Sequence, residues 1–154
     1  MINKSILVIS GPNLNLLGKR EEKYYGNISL DEIYEKIKKI ALSNDITIEC
    51  KQSNSESEII KWIQNAKNSF KAIIINAGGY THTSVSIRDS LKLYDGLIIE
   101  IHMSNVHSRE DFRHTSLISG VSSGIIIGFG EQSYYLAVNA AVDKIKGGKN
   151  YGQK

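Results

Sequence analysis

The sequence is poor in cysteine, proline and long apolar runs, and these shortages exclude several classes of protein. Its single cysteine, Cys50, cannot form a disulfide within the chain, which fits a reducing cytoplasm. No apolar run approaches the roughly 20 residues of a membrane-spanning helix. The N-terminal segment MINKSILVIS is too short and too soon interrupted for a signal peptide. We therefore expect a cytoplasmic protein with no membrane association.

The chain also lacks a strong charge of either sign. It has 19 Lys and Arg against 16 Asp and Glu, a net charge of +3, and the basic residues form no dense block. Such a weak field argues against a nucleic-acid partner. The length of 154 residues, with 41% hydrophobic residues, suits one domain with a sizeable core. We expect residues 1–154 to form a single catalytic domain.

Five short runs rich in β-branched residues are predicted to be strands. They lie at 6–9, 46–48, 72–75, 97–101 and 125–127, and most are continuously apolar rather than alternating. That pattern is typical of a parallel sheet covered on both faces. The predicted fold is α/β, a doubly wound five-stranded parallel sheet of flavodoxin-like order 2-1-3-4-5 with helices on both faces.

Helical spacing recurs between these runs, and the predicted helices have recognisable N-caps. Ser29 with Glu32, and Ser55 with Glu58, match the capping box. Thr83 is the expected cap of the third helix, and the last helix is predicted to begin at about residue 132.

Polar residues follow every predicted strand except the second, at the edge where such sheets bind ligands. Asn13 and Asn76 follow strands 1 and 3, which flank the predicted crevice. Glu100 and His102 are two residues apart, so on a strand they point to one face. A carboxylate there can fix the tautomer of the imidazole and increase its basicity, which prepares a general acid.

Several of these residues also have plainer interpretations. A histidine in a loop is usually structural or solvated, and Asn13 can be a turn residue after Pro12. Tyr25 and its neighbour Tyr24 can cover an apolar patch, and Arg20 can be a surface charge.

Other kinds of site have little support. A metal site built from Glu100, His102 and His107 is possible, but there is no H-E-x-x-H helix and no cysteine cluster. There is also no P-loop, no G-x-G-x-x-G and no G-x-S-x-G.

Three blocks of sequence resemble the type II 3-dehydroquinate dehydratases. They are GPNLNLLGKRE followed by YG, NAGGYTHTSVSIRD, and EIHMSNVHSREDFRHTS. The resemblance implies a shikimate-pathway lyase that converts 3-dehydroquinate to 3-dehydroshikimate by anti elimination through an enolate. It also implies no cofactor, no metal, and a homododecamer built as a tetramer of trimers.

The same resemblance implies roles for particular residues. Tyr25 is the catalytic base with Arg20 beside it, His102 is the general acid oriented by Glu100, and Asn13 holds the water that stabilises the enolate. The implied substrate-binding residues are Asn76, His82, Asp89, Ile101, His102, Met103, Ser104, Arg109 and Arg113. Of these, Ile101 to Ser104 act through backbone amides, and Asp89 reaches the site of a neighbouring subunit.

The implied roles are chemically consistent. A tyrosine with its usual pKa of about 10 is a poor base at pH 7, and a neighbouring guanidinium favours the phenolate. We expect the long segment that carries Arg20 and Tyr25 to close over the substrate. The alternative function is a flavodoxin-like binding module for a small anion, which needs the same crevice but no base.

Overall fold

The computed structural model describes residues 5–19 and 27–147. Its strands are β1 (Ser5–Ser10), β2 (Thr47–Gln52), β3 (Ala72–Asn76), β4 (Leu97–His102) and β5 (Gly124–Ile127). Its α-helices are α1 (Leu30–Leu42), α2 (Glu56–Asn65), α3 (Val85–Lys92) and α4 (Gln132–Ile145). All strand pairs are parallel and the order is β2-β1-β3-β4-β5, which confirms the predicted topology.

The central strands are buried on both faces because helices cover both sides of the sheet. Along β1, Ile6 and Val8 face the core layer shared with α1 and α4. Leu7 and Ile9 face the opposite layer, shared with α2 and α3. Alternate side chains of β1 therefore enter two separate hydrophobic cores, which explains why the run is continuously apolar.

Two of the three predicted helix caps are confirmed. The hydroxyl of Ser29 accepts a hydrogen bond from the Glu32 N–H at 3.2 Å, and that of Ser55 from the Glu58 N–H at 3.3 Å. The prediction of Thr83 is wrong by one residue, because Thr83 closes a short 3-10 helix, Gly78–His82. Ser84 caps α3 instead, accepting from the Ile87 N–H at 3.0 Å.

Strand β2 is longer than its apolar run suggested, because it lies at the edge of the sheet. Polar residues such as Glu49 and Lys51 extend it to Gln52, with their side chains partly exposed. Cys50 is half-buried against the core as a free thiol, and burial raises its pKa to about 12.

No helix within residues 5–19 and 27–147 combines the length and the hydropathy that crossing a bilayer requires.

Candidate active site

A cleft of about 120 Å³ lies at the carboxyl ends of β1, β3 and β4. This is the switch point of the sheet, because β1 pairs with β2 on one side and with β3 on the other. The cleft brings together the predicted site residues Asn13, Asn76, His82, His102, Met103, Ser104, Arg109 and Arg113.

The loop after β1 is pressed against the loop after β3. The Gly11 N–H donates to the Asn76 carbonyl at 2.8 Å. A Cβ on Gly11 would lie 2.4 Å from the carbonyl oxygen of Ala77, so a side chain there would force the two loops apart. Asn13 and Asn76 therefore lie on two segments whose separation is set by this backbone contact.

Asn13 adopts a left-handed backbone conformation, with φ 70° and ψ −5°. Its N–H donates to Asn54 Oδ1 at 3.0 Å, and Gln52 Nε2 donates to the same oxygen at 3.3 Å. Sequence reasoning missed both partners because it ended strand 2 too early. The signal was the polar stretch from Gln52 to Ser55, which directly follows the true end of β2.

His102 and Glu100 form a buried pair at the end of β4. His102 Nε2 lies 2.5 Å from Glu100 Oε2, and the two side chains are 7% and 1% exposed. The Ser116 hydroxyl donates to Oε2 at 2.9 Å and the Ser119 hydroxyl to Oε1 at 2.5 Å. Burial alone would raise the pKa of Glu100, but hydrogen bonds from His102, Ser119 and Ser116 outweigh it and hold that pKa below its usual value. Glu100 is therefore an anion that orients His102.

The turn after β5 holds the backbone of His102 and Met103 in place. The N–H groups of Gly128 and Gly130 donate to their carbonyls at 3.0 and 2.9 Å. Both glycines have positive φ, 94° and 59°, a conformation that other residues rarely adopt. The glycine turn after β5 thus fixes the backbone at the end of β4.

His82 lies beside His102, with ring centroids 6.3 Å apart and an interplanar angle of 22°. Its Nδ1 donates to the Thr115 carbonyl at 2.8 Å, which leaves Nε2 as the acceptor. Burial lowers the pKa of His82, and the charge of Arg113 lowers it further against the opposing effect of the Thr115 hydrogen bond. His82 is therefore a neutral hydrogen-bonding group near pH 7.

Two arginines make one end of the cleft positive. Arg109 Nη1 donates to the Ser104 hydroxyl at 3.2 Å, and its side chain is only 6% exposed. Arg113 Nε donates to Glu110 at 3.0 Å, and Arg109 Nε lies 3.6 Å from the same carboxylate. Sequence reasoning did not single out Glu110, which ties the two guanidinium groups together. Two cations against one exposed carboxylate suit an anionic ligand.

Three described residues of the predicted site, Ile101, Asp89 and Glu100, do not line this cleft. Arg20 and Tyr25 are outside the described residues. Ile101 is fully buried within β4. Asp89 lies on α3 with its side chain 60% exposed, paired with Arg88 Nη1 at 2.8 Å. Glu100 borders an adjoining cavity behind His102.

The alternative metal set is not assembled as a site. His107 contacts His114, with ring centroids 5.9 Å apart. Within the part of the chain that the structure describes, no three His, Cys, Asp or Glu side chains are grouped so as to hold a metal ion.

Comparison with known proteins identifies the family. The family model for "Dehydroquinase class II" matches residues 4–142. The 3-dehydroquinate dehydratase of Thermoanaerobacter pseudethanolicus is 49% identical over 137 residues, covering 89% of this chain and 93% of that protein.

Solved structures agree with this match. The type II dehydroquinase of Butyrivibrio crossotus superimposes with a TM-score of 0.88 at 44% identity, covering 90% of this chain and 97% of that one. That of Propionibacterium acnes gives a TM-score of 0.87 at 34% identity, covering 90% and 96%. The family model and these relatives match the chain over nearly all its length, so this protein belongs to the dehydroquinase class II family.

Proposed function

We propose that this protein is a 3-dehydroquinate dehydratase, a hydro-lyase that forms 3-dehydroshikimate in the shikimate pathway. The observation that carries the proposal is the Glu100–His102 pair bordering a cleft that also contains Arg109 and Arg113. Elimination of water beside a ketone needs a base, an acid and a means to hold an anionic substrate. The family match supports this reaction, and the roles of individual residues below are part of the proposal.

The reaction begins with proton loss alpha to the ketone. Tyr25 is the base, with Arg20 beside it to favour the phenolate. Negative charge then develops on the ketone oxygen. A water held by Asn13 donates a hydrogen bond to that oxygen, an oxyanion-hole type of stabilisation. The left-handed backbone of Asn13 holds this residue at the rim of the cleft.

His102 donates the proton that leaves with the hydroxyl group. Its Nε2 is occupied by Glu100, so Nδ1 is the ring nitrogen that exchanges a proton with the substrate. The charge of Glu100 stabilises the imidazolium before the transfer. The enolate then collapses, the bond from carbon to the protonated hydroxyl breaks, and water leaves. The overall elimination is anti.

The remaining cleft residues hold the substrate. Arg109, Arg113 and the Ser104 hydroxyl supply positive charge and donors at one end. Neutral His82 and Asn76 supply hydrogen bonds to hydroxyl groups, and backbone amides of residues 101–104 bind the carboxylate. This acid–base chemistry needs no metal or cofactor.

We further propose a cytoplasmic homododecamer, a tetramer of trimers, in which residues 1–154 form one catalytic domain per subunit. The supporting feature is Asp89, which is exposed on α3 and does not line the cleft of its own subunit. In this assembly Asp89 completes the site of a neighbour.

Ultraviolet spectroscopy tests the function directly, because 3-dehydroshikimate is a conjugated enone and 3-dehydroquinate is not. We expect absorbance to rise when 3-dehydroquinate is added. His102→Ala should slow the rise by about 100-fold or more. His107→Ala, five residues further along the chain and outside the cleft lining, is the matched control and should retain the rate. Binding without any rise would favour the anion-binding module, which the named relatives do not favour.

A further inference from the structure

A chain of hydrogen-bonded side chains runs through the core directly beneath the cleft. Asn76 Nδ2 donates to the Tyr134 hydroxyl at 3.2 Å, and that hydroxyl lies 2.9 Å from the Ser10 hydroxyl. Tyr34 donates to Ser10 at 2.7 Å and lies 3.2 Å from the Lys51 carbonyl. Asn76 alone of these five lines the cleft, so it is the point where the chain meets a ligand.

The members of this chain are held rigidly. Tyr134 and Ser10 are fully buried, and Asn76 and Tyr34 are 4% and 8% exposed. Burial raises the pKa of Tyr134 to about 12, so its hydroxyl keeps its proton. Tyr134 belongs to the same core layer as Val8 and Ile74 and does not line the cleft.

The orientation of Asn76 depends on these partners. The nitrogen and oxygen of a carboxamide have almost the same shape, so packing alone does not decide which of them faces a ligand. In Asn76 the Gly78 N–H donates to Oδ1 at 3.4 Å, a long hydrogen bond, and Tyr134 accepts from Nδ2. Without the phenol, the longer hydrogen bond from Gly78 would be the one contact among the described residues that distinguishes the two orientations.

We propose that Tyr134 is a positioning residue, which fixes the carboxamide of Asn76 in the one orientation that presents its donor and acceptor correctly to the substrate. The inference rests on the proposed function, because that function identifies 3-dehydroquinate as the molecule that Asn76 contacts. It deepens that function because it places a determinant of substrate binding on α4, beneath the cleft.

The principal test compares two identical substitutions in the same buried chain. Tyr134→Phe removes the hydroxyl that contacts Asn76, whereas Tyr34→Phe removes a hydroxyl on the far side of Ser10. We expect Tyr134→Phe to raise KM for 3-dehydroquinate about three- to tenfold with a smaller change in kcat. Tyr34→Phe should leave KM within about twofold. Both substitutions should lower the melting temperature. If Tyr134 had a purely structural role, the two variants would have the same effect on KM, either no change in both or an equal change in both.

A double-mutant cycle tests whether Tyr134 acts through Asn76. In an Asn76→Ala background, Tyr134→Phe should have no further effect on KM, because the carboxamide it positions is gone. An undiminished effect in that background would overturn the proposal, as would equal KM changes in the two tyrosine variants.

A third measurement uses the unsubstituted protein and does not depend on turnover. Hydrogen exchange at the Asn76 side-chain amide should be clearly slower than at the exposed Asn68, because one amide hydrogen is buried against Tyr134. Equally fast exchange would refute the positioning role. Absence of turnover in the unsubstituted protein would instead refute the proposed function while leaving the exchange result to stand.

Discussion

Replacing Ser119 with alanine removes one of the three hydrogen bonds that described residues make to the Glu100 carboxylate. The hydroxyl lies 2.5 Å from Oε1, whereas Ser116 and His102 both contact Oε2. Glu100 is 1% exposed, so water cannot readily replace the lost donor. Ser119→Ala should therefore raise the pKa of Glu100.

The expected size follows from the kind of hydrogen bond that is lost. One made to a charged group contributes about 1.5–3 kcal/mol, and one unit of pKa corresponds to about 1.4 kcal/mol. Because two donors remain, we expect a rise of about one unit. The pKa of Glu100 is lower in the folded state, so the ionised carboxylate stabilises the fold above pH 4.5, its usual value, and this contribution is lost as the pH falls through the folded pKa.

Urea unfolding at a series of pH values measures this effect. Ser119→Ala should cost about 1.4 kcal/mol more free energy of unfolding at pH 7 than at a pH below the folded pKa of Glu100. Ser122→Ala is the matched control, because its buried hydroxyl donates to the Ile118 carbonyl at 2.8 Å and hydrogen-bonds to no carboxylate among the described residues. The loss of unfolding free energy caused by Ser122→Ala should not vary with pH. Ser119→Thr keeps a hydroxyl at this position and should behave like the unsubstituted protein.

Turnover gives a second readout of the same perturbation. Ionised Glu100 holds the His102 proton, so the acid limb of kcat/KM should move to higher pH in Ser119→Ala by about one unit, as a property of the coupled pair. If Ser119→Ala and Ser122→Ala showed the same pH-independent loss of stability and unchanged acid limbs, Ser119 would have no influence on the charge of Glu100.

Three further predictions concern the proposed function. Tyr25→Phe should keep the fold and substrate binding but lower kcat by about two or more orders of magnitude, and near-normal turnover in the ultraviolet assay would refute its role as the base. Prolonged chelation should leave activity unchanged, whereas activity lost to a chelator and restored by zinc would indicate a metal site. Light scattering after size-exclusion chromatography should give a mass many times 17.1 kDa, and a monomer would contradict the shared site. Asp89→Ala should lower kcat/KM without lowering that mass.

The sequence predicted the sheet well because its signal is local. Short continuous apolar runs such as 72–75 are typical of a strand covered on both faces, and strand order then follows from the alternation with helices. Glu100 and His102 were predictable for the same reason, since two residues of one strand share a face. The N-cap Ser29 also depended only on its own neighbours.

The missed residues act across long stretches of chain. Ser116 and Ser119 contact Glu100 from 16 and 19 residues away, and Tyr134 contacts Asn76 across 58. A tyrosine in an apolar helix is indistinguishable, by spacing, from an ordinary core residue. Asn54 escaped notice because the polar composition of an edge strand concealed where β2 ends.

The close approach of Gly11 to Ala77 has a consequence for how this cleft can be altered. A single added methyl group at position 11 would force the ends of β1 and β3 apart. Asn13 and Asn76, which lie at these two ends, would move apart as well. The distance between these two amides is thus governed by main-chain contact rather than by the choice of lining side chains. Redesign for a larger ring would have to begin at this backbone contact, because substitutions within the cleft change its chemistry but not its span.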